Sequence, residues 1–168
     1  MCDYFWEVQR FNQQTAELLD AIEKMGELDN TLVVMSGDNG WPFPRGKASL
    51  YEAGTHVPLA IQWGSRIKGG RKIEDFVSVP DITPTFLEAA GLKVPADMTA
   101  RTLMPLLQSS RSGRVDSRRS YVLTGMERHV PCREEISGGY PMRALRNHQF
   151  HYIRNFLPNR WPTGDPDD

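Results

Sequence analysis

Cysteine is nearly absent. Two occur in 168 residues, Cys2 and Cys132. Their separation fits neither a metal-ligand spacing nor a redox pair, which excludes a disulfide-built scaffold and a thiolate metal centre. An excess of one charge is lacking too: 20 basic residues face 21 acidic ones, for a net charge of -1. A nucleic-acid surface needs a basic excess on one face, so no nucleic-acid partner is expected. No apolar run approaches the roughly 20 residues that cross a bilayer, so no membrane span is expected. The start of the chain shows no charged region followed by an apolar core, so no signal peptide is read there. Repeats and low-complexity tracts are missing as well. What remains is a globular composition, 39% hydrophobic and 24% charged, in a chain of one domain's length.

Hydrophobic spacing orders the chain into alternating elements. Val8, Phe11, Thr15, Leu18, Ile22 and Met25 recur in steps of three and four, which predicts a helix closed by Gly26. Thr31–Met35 is a short apolar, β-branched run and reads as a strand covered on both faces, as in a parallel sheet. Val57–Trp63 reads as a second strand, and Val77–Val79 as a short third one. Asp81 is expected to cap a helix carrying Pro84 in its first turn, an apolar face of Ile82, Thr85, Phe86, Ala89 and Ala90, and a stop at Gly91. Residues 92–119 read as loop around one apolar patch, Leu103–Leu107, and the Arg-rich stretch Arg111–Arg119 as a solvated loop. Tyr121–Thr124 reads as a strand, 125–141 as a polar loop, and 142–156 as an antiparallel hairpin turning near Asn147 and His148. His148 and His151 are expected to be exposed.

The first strand ends in Ser36-Gly37-Asp38-Asn39-Gly40. Polar residues just past the end of a buried strand lie where open α/β sheets hold ligands. The Asp38 carboxylate and the Asn39 amide oxygen are hard donors of the kind Ca²⁺ or Mg²⁺ prefers, although Asp-Asn-Gly is also a common turn sequence. Lys47 follows within Arg45-Gly-Lys-Ala-Ser-Leu-Tyr-Glu-Ala-Gly54. An ammonium near a metal can neutralise a tetrahedral oxyanion; a solvent-facing charge is the plainer reading of Lys47, and a surface or capping carboxylate that of Glu52.

Taken together, Leu32–Gly40, Gly46-Lys47, Tyr51–Gly54 and Val57–Leu59 resemble the second half of the sulfatase pattern. The helix ending in Glu27–Thr31, the segment Val77–Thr85 and Ala90-Gly91 are similar to that family as well. A finer resemblance, carried by Asp38–Pro44, Tyr140–Arg143 and Tyr152–Asn155, is to the branch containing heparan N-sulfatase. The resemblance implies an α/β fold: part of an alkaline-phosphatase-like mixed sheet with flanking helices over residues 1–115, and a small C-terminal antiparallel β element over 116–168. It implies that Asp38 and Asn39 ligate Ca²⁺, with Mg²⁺ the lesser alternative. Lys47 would contact the sulfate as a catalytic and substrate-binding residue. Glu127, Arg128 and His129 would lie near the sugar, with His129 also a catalytic candidate. His56 stands where many sulfatases carry Arg, with packing or hydrogen bonding as its expected role. The implied substrate is a sulfated carbohydrate, with a heparan-type glycan foremost, and the implied location of a full-length protein is periplasmic, secreted or lysosomal.

One departure matters. Sulfatases of this kind act through a formylglycine made from Cys or Ser in a Cys/Ser-x-Pro-x-Arg signature, and none is present. Cys132 is followed by Arg133 and Glu134, Cys2 by Asp3 and Tyr4. The two further metal-binding Asp residues that the family draws from an early strand are missing too. The expectation is therefore a C-terminal fragment of a sulfatase, truncated or completed by a second chain or a homo-oligomer, inactive alone and weak in Ca²⁺ binding. Two rivals stand beside it. A phosphatase or phosphodiesterase of the wider superfamily usually places His after the metal Asp, where Asn39 stands here; a non-catalytic fragment or binding module is the other.

Overall fold

The computed structural model describes residues 2–127 and 139–160. It is a mixed assembly of helices and two small antiparallel sheets. Helix α1 (Cys2–Lys24) begins earlier than the apolar spacing predicts and ends as predicted. Gly26, at φ 75°, donates its N–H to the Glu23 carbonyl while Glu27 donates to Ile22. That is the paired closure in which a left-handed glycine satisfies the last carbonyls. Its apolar stripe, however, is not covered. No residue of α1 is buried, and Phe5, Trp6, Val8, Phe11 and Leu18 are all exposed.

Strand β1 (Val33–Ser36) pairs with β2 (Leu59–Gln62). The pairing is antiparallel, from Val33 opposite Gln62 to Ser36 opposite Leu59. The expectation of a parallel strand covered on both faces is therefore corrected: among the described residues its ladder is a hairpin, and β1 is half-buried. An unbroken apolar run does not by itself tell the strand's partner or direction. Beneath the hairpin lies the larger core: Trp63, Leu103, Met104, Leu106 and Leu107, with Leu32, Ile61, Ile73, Val77 and Val115 packed around them. The apolar patch of the sequence is thus a helix, α4 (Met104–Gln108).

Val77–Val79 is not a strand. Pro80 removes a ladder donor, and Val79–Asp81 forms a 3-10 turn leading into α3 (Ile82–Ala89). Asp81 sits at the cap position of α3, yet its side chain caps nothing there. Instead it accepts the N–H of Ser78 and of Arg101, and it pairs at 2.7 Å with Arg119, both side chains buried. Arg119 also donates to the carbonyls of Arg101 and Thr102. The end of the Arg-rich stretch is therefore a buried anchor, not solvated loop; five fixed donors let one guanidinium close a turn that small apolar residues could not. At the far end of α3, Gly91 and Leu92 close the helix onto Glu88 and Leu87.

Strands β3 (Tyr121–Met126), β4 (Met142–Asn147) and β5 (His151–Asn155) form the second sheet, in that order and antiparallel throughout. Alternation holds, with Met142 and Ala144 buried and Arg143 and Leu145 exposed. The covered face packs on Leu50, together with Met126, Tyr140 and Ile153. At the turn, His148 is exposed and rests on the Phe76 ring, whereas His151 is half-buried.

Candidate functional site

The connection between β1 and β2 is long, residues 37–58, and long connections inside compact domains are usually functional. Its two ends meet: the Gly37 N–H donates to the Pro58 carbonyl at 3.2 Å. Asp38 and Asn39 therefore leave the sheet together at its rim, and both are exposed.

Three glycines fold the connection back on itself. A Cβ on Gly40 would fall 2.3 Å from the Ala53 carbonyl oxygen and 2.5 Å from Gly54 Cα. A Cβ on Gly54 would meet the Ser49 and Gly46 carbonyl oxygens at 2.4 and 2.5 Å. A Cβ on Gly46 would lie 2.2 Å from the Trp41 carbonyl oxygen. Only hydrogen side chains fit such approaches. Gly40 follows Asn39, Gly46 precedes Lys47, and both abut Gly54. Asn39 and Lys47 are eight residues apart, and their neighbours are thus both carried to Gly54 by the backbone. The Lys47 N–H fixes the closure by donating to the Trp41 carbonyl at 2.7 Å.

Below the knot, Leu50 is buried in the cluster of the second sheet. The short helix α2 (Glu52–Thr55) adds a polar tie. Glu52 accepts from Arg146 Nε at 2.9 Å and meets His56 Nδ1 at 3.1 Å. The Arg146 guanidinium holds the Glu52 carboxyl below its ordinary range, with His56 adding to the effect. Glu52 is thus a tie from the loop to β4, and His56 takes the hydrogen-bonding role expected of it. Arg146 carries no local signal in the sequence, since its partner is 94 positions away.

Glu127 closes β3 and is exposed. Its neighbour Met126 packs in the same cluster as Leu50, and its carboxylate pairs with the Arg143 guanidinium across the sheet. Arg143 lies over Gly125, where a Cβ would come within 2.9 Å of its Cδ. Arg143 is a polar residue of this rim that the sequence marks only by resemblance. Arg128 and His129, like Cys132, lie outside the described residues.

The donor chemistry at the β1 rim fits a hard divalent cation. Among the described residues, no hydrogen bond occupies the side-chain oxygens of Asp38 or Asn39, so both remain available as ligands. No group of three or more His, Cys, Asp or Glu gathers among the described residues, so these two oxygens would hold only part of a six- to eight-coordinate shell. The Lys47 ammonium is exposed on the same connection.

Known proteins are similar to this chain over most of its length. The family model for the C-terminal region of N-sulphoglucosamine sulphohydrolase matches residues 37–155. Human N-sulphoglucosamine sulphohydrolase is 30% identical over 158 residues, covering 88% of this chain and 29% of its own length. N-acetylglucosamine-6-O-sulfatase of Bacteroides thetaiotaomicron is 33% identical, covering 98% of this chain and 30% of its own length. A solved structure in complex with its substrate D-glucosamine-2-N,6-O-disulfate superposes with a TM-score of 0.67 at 29% identity, over 87% of this chain and 29% of that one. The chain thus spans less than a third of the length of these relatives.

Proposed function

Since the chain belongs to the sulfatase family, matching its N-sulphoglucosamine sulphohydrolase branch at the C-terminal region, we propose that it supplies the cation- and sulfate-binding rim of a site that removes sulfate from a sulfated sugar. N-sulfated glucosamine of a heparan-type glycan is the substrate class, supported by the relatives' named substrates. Asp38 and Asn39 hold Ca²⁺. The metal, when bound, polarises the sulfate oxygens.

This chain's own part is electrostatic and positional. Lys47 places a positive charge against the sulfate, where charge gathers as the S–O or S–N bond breaks. The glycine knot holds the backbone that carries Lys47 close to the backbone that follows Asn39, which supports a short reach from the ammonium to the two oxygen ligands. Glu127 lies on the sugar side, its carboxylate held by Arg143, and Arg128 and His129 follow it in the chain as further sugar contacts. The nucleophile is supplied by another segment or chain, since no Cys/Ser-x-Pro-x-Arg signature is present.

The observation that supports the reading is the shared contact of Gly40 and Gly46, the neighbours of Asn39 and Lys47, with Gly54. It is tested by titrating the chain with N-sulfoglucosamine in millimolar Ca²⁺ and following amide shifts by NMR. Shifts should concentrate in residues 38–54 and be lost in Lys47→Ala. Shifts centred elsewhere, or indifferent to Lys47, would sink the reading.

A further inference from the structure

The backbone on either side of Lys47 adopts a conformation that its residues disfavour. Arg45 has φ 62° and Ala48 φ 64°, the only non-glycine residues of positive φ among those described. A long side chain in the left-handed region persists where its surroundings over-determine it, and such sites cluster at ligand clamps. Here the bracing is visible. Ser49 Oγ donates toward the Arg45 carbonyl at 3.0 Å and the Gly46 carbonyl at 2.8 Å. The Arg45 guanidinium lies over the Tyr51 ring, 5.8 Å from its centroid, and both residues are exposed.

Among the described residues Arg45 has no acid to neutralise it. The adjacent carboxylate, Glu52, is engaged by Arg146 and His56, and no ion pair involves Arg45 or Lys47 among the described residues. Two unneutralised cations thus flank Gly46. They differ in kind. Lys47 is a compact point charge, whereas a guanidinium is a planar fork that matches an oxyanion with two parallel hydrogen bonds. An aromatic ring beneath that fork offers a surface on which a sugar's C–H face can rest.

We propose that Arg45, braced by Tyr51, is a specificity-determining residue that reads a second oxyanion of the substrate, beyond the sulfate met by Lys47. The ligand is an acidic sugar carrying two anionic groups, the second a sulfate or a uronate carboxylate. This rests on the sulfatase reading and deepens it. Arg45 takes no part in bond cleavage; it favours doubly charged substrates over singly charged ones.

The test measures affinity of the 168-residue chain, in millimolar Ca²⁺, for three probes: N-sulfoglucosamine, N,6-O-disulfated glucosamine, and N-sulfoglucosamine linked to a uronic acid. At least one two-anion probe should bind about tenfold more tightly than the first, and the tighter one identifies the second group. Arg45→Gly suits the left-handed backbone, so its Tm should not fall, yet its discrimination should drop to about 1. Lys47→Ala should weaken all probes and leave the ratio in place. Equal affinities in the unaltered chain, or a ratio that survives Arg45→Gly, would overturn the proposal and leave the sulfatase reading standing. Binding of no probe would overturn both.

Discussion

At the scale of single residues, charge placement separates what holds the fold from what faces a ligand. Asp81 and Arg119 are both buried and fully engaged. Removing one partner of such a pair leaves the other charge buried alone, so Asp81→Ala should cost about 3–5 kcal/mol in urea unfolding; a loss under 1 kcal/mol would mean the pair is dispensable. Asp116 behaves differently. Hydrogen bonds from the Arg118 side chain and N–H hold its carboxyl down to about 2, against an ordinary 3.8. A depressed carboxylate contributes stability above its unfolded pKa and loses it as pH falls through the folded value. The Asp116 contribution should therefore be intact at pH 5 and fade between about pH 4 and 2. Carboxyl NMR should show the midpoint rising toward 3.8 in Arg118→Ala, and an unmoved midpoint would remove Arg118 as the cause. Some of this was legible beforehand. The sequence singles out Asp38, Asn39 and Lys47 only through the sulfatase resemblance, and it does not show the roles of Asp81 and Arg119, because a partner 38 positions away leaves no local pattern.

At the scale of elements, the 37–58 connection is closed by its own glycine contacts and also pinned from below. Leu50 reaches the core of the second sheet, and Glu52 reaches Arg146. Leu50→Ala should destabilise the chain by about 2–5 kcal/mol and speed amide exchange at Met142 and Ala144 above all. Unchanged protection there would show that the connection and the sheet are independent. The positions of α1, α3 and the C-terminal hairpin were readable from periodicity, including the glycine stops at Gly26 and Gly91, whereas α4 was read as a patch within a loop. Strand direction was not readable. The run Thr31–Met35 looks alike whether its neighbour is parallel or antiparallel, and only the meeting of Gly37 with Pro58 reveals a hairpin. Pro80, readable as a breaker, outweighed the β-branched pair Val77 and Val79.

At the scale of the whole molecule, apolar surface stays exposed among the described residues. The stripe of α1, with Val8, Phe11, Leu18 and Met25 exposed, has the spacing of a buried face, and periodicity cannot say what a face packs on. The proposed metal rim is partial in the same sense. With two oxygen ligands from one turn, Ca²⁺ should not saturate the chain below about 1 mM by calorimetry. A tight, stoichiometric site would show that further ligands reach Asp38 and Asn39, and would place those ligands outside the residues described. Among the described residues no helix is long and apolar enough to cross a membrane.

The hydrogen bond that joins Gly37 to Pro58 makes one connection behave as a cassette. Everything between those residues enters and leaves through a single point on the β1–β2 ladder. An engineer could swap the stretch from one homologue into another without shifting the strand register on either side. The three contact glycines would have to travel with it as a set, because a methyl group at any one of them would strike a backbone carbonyl of the same stretch.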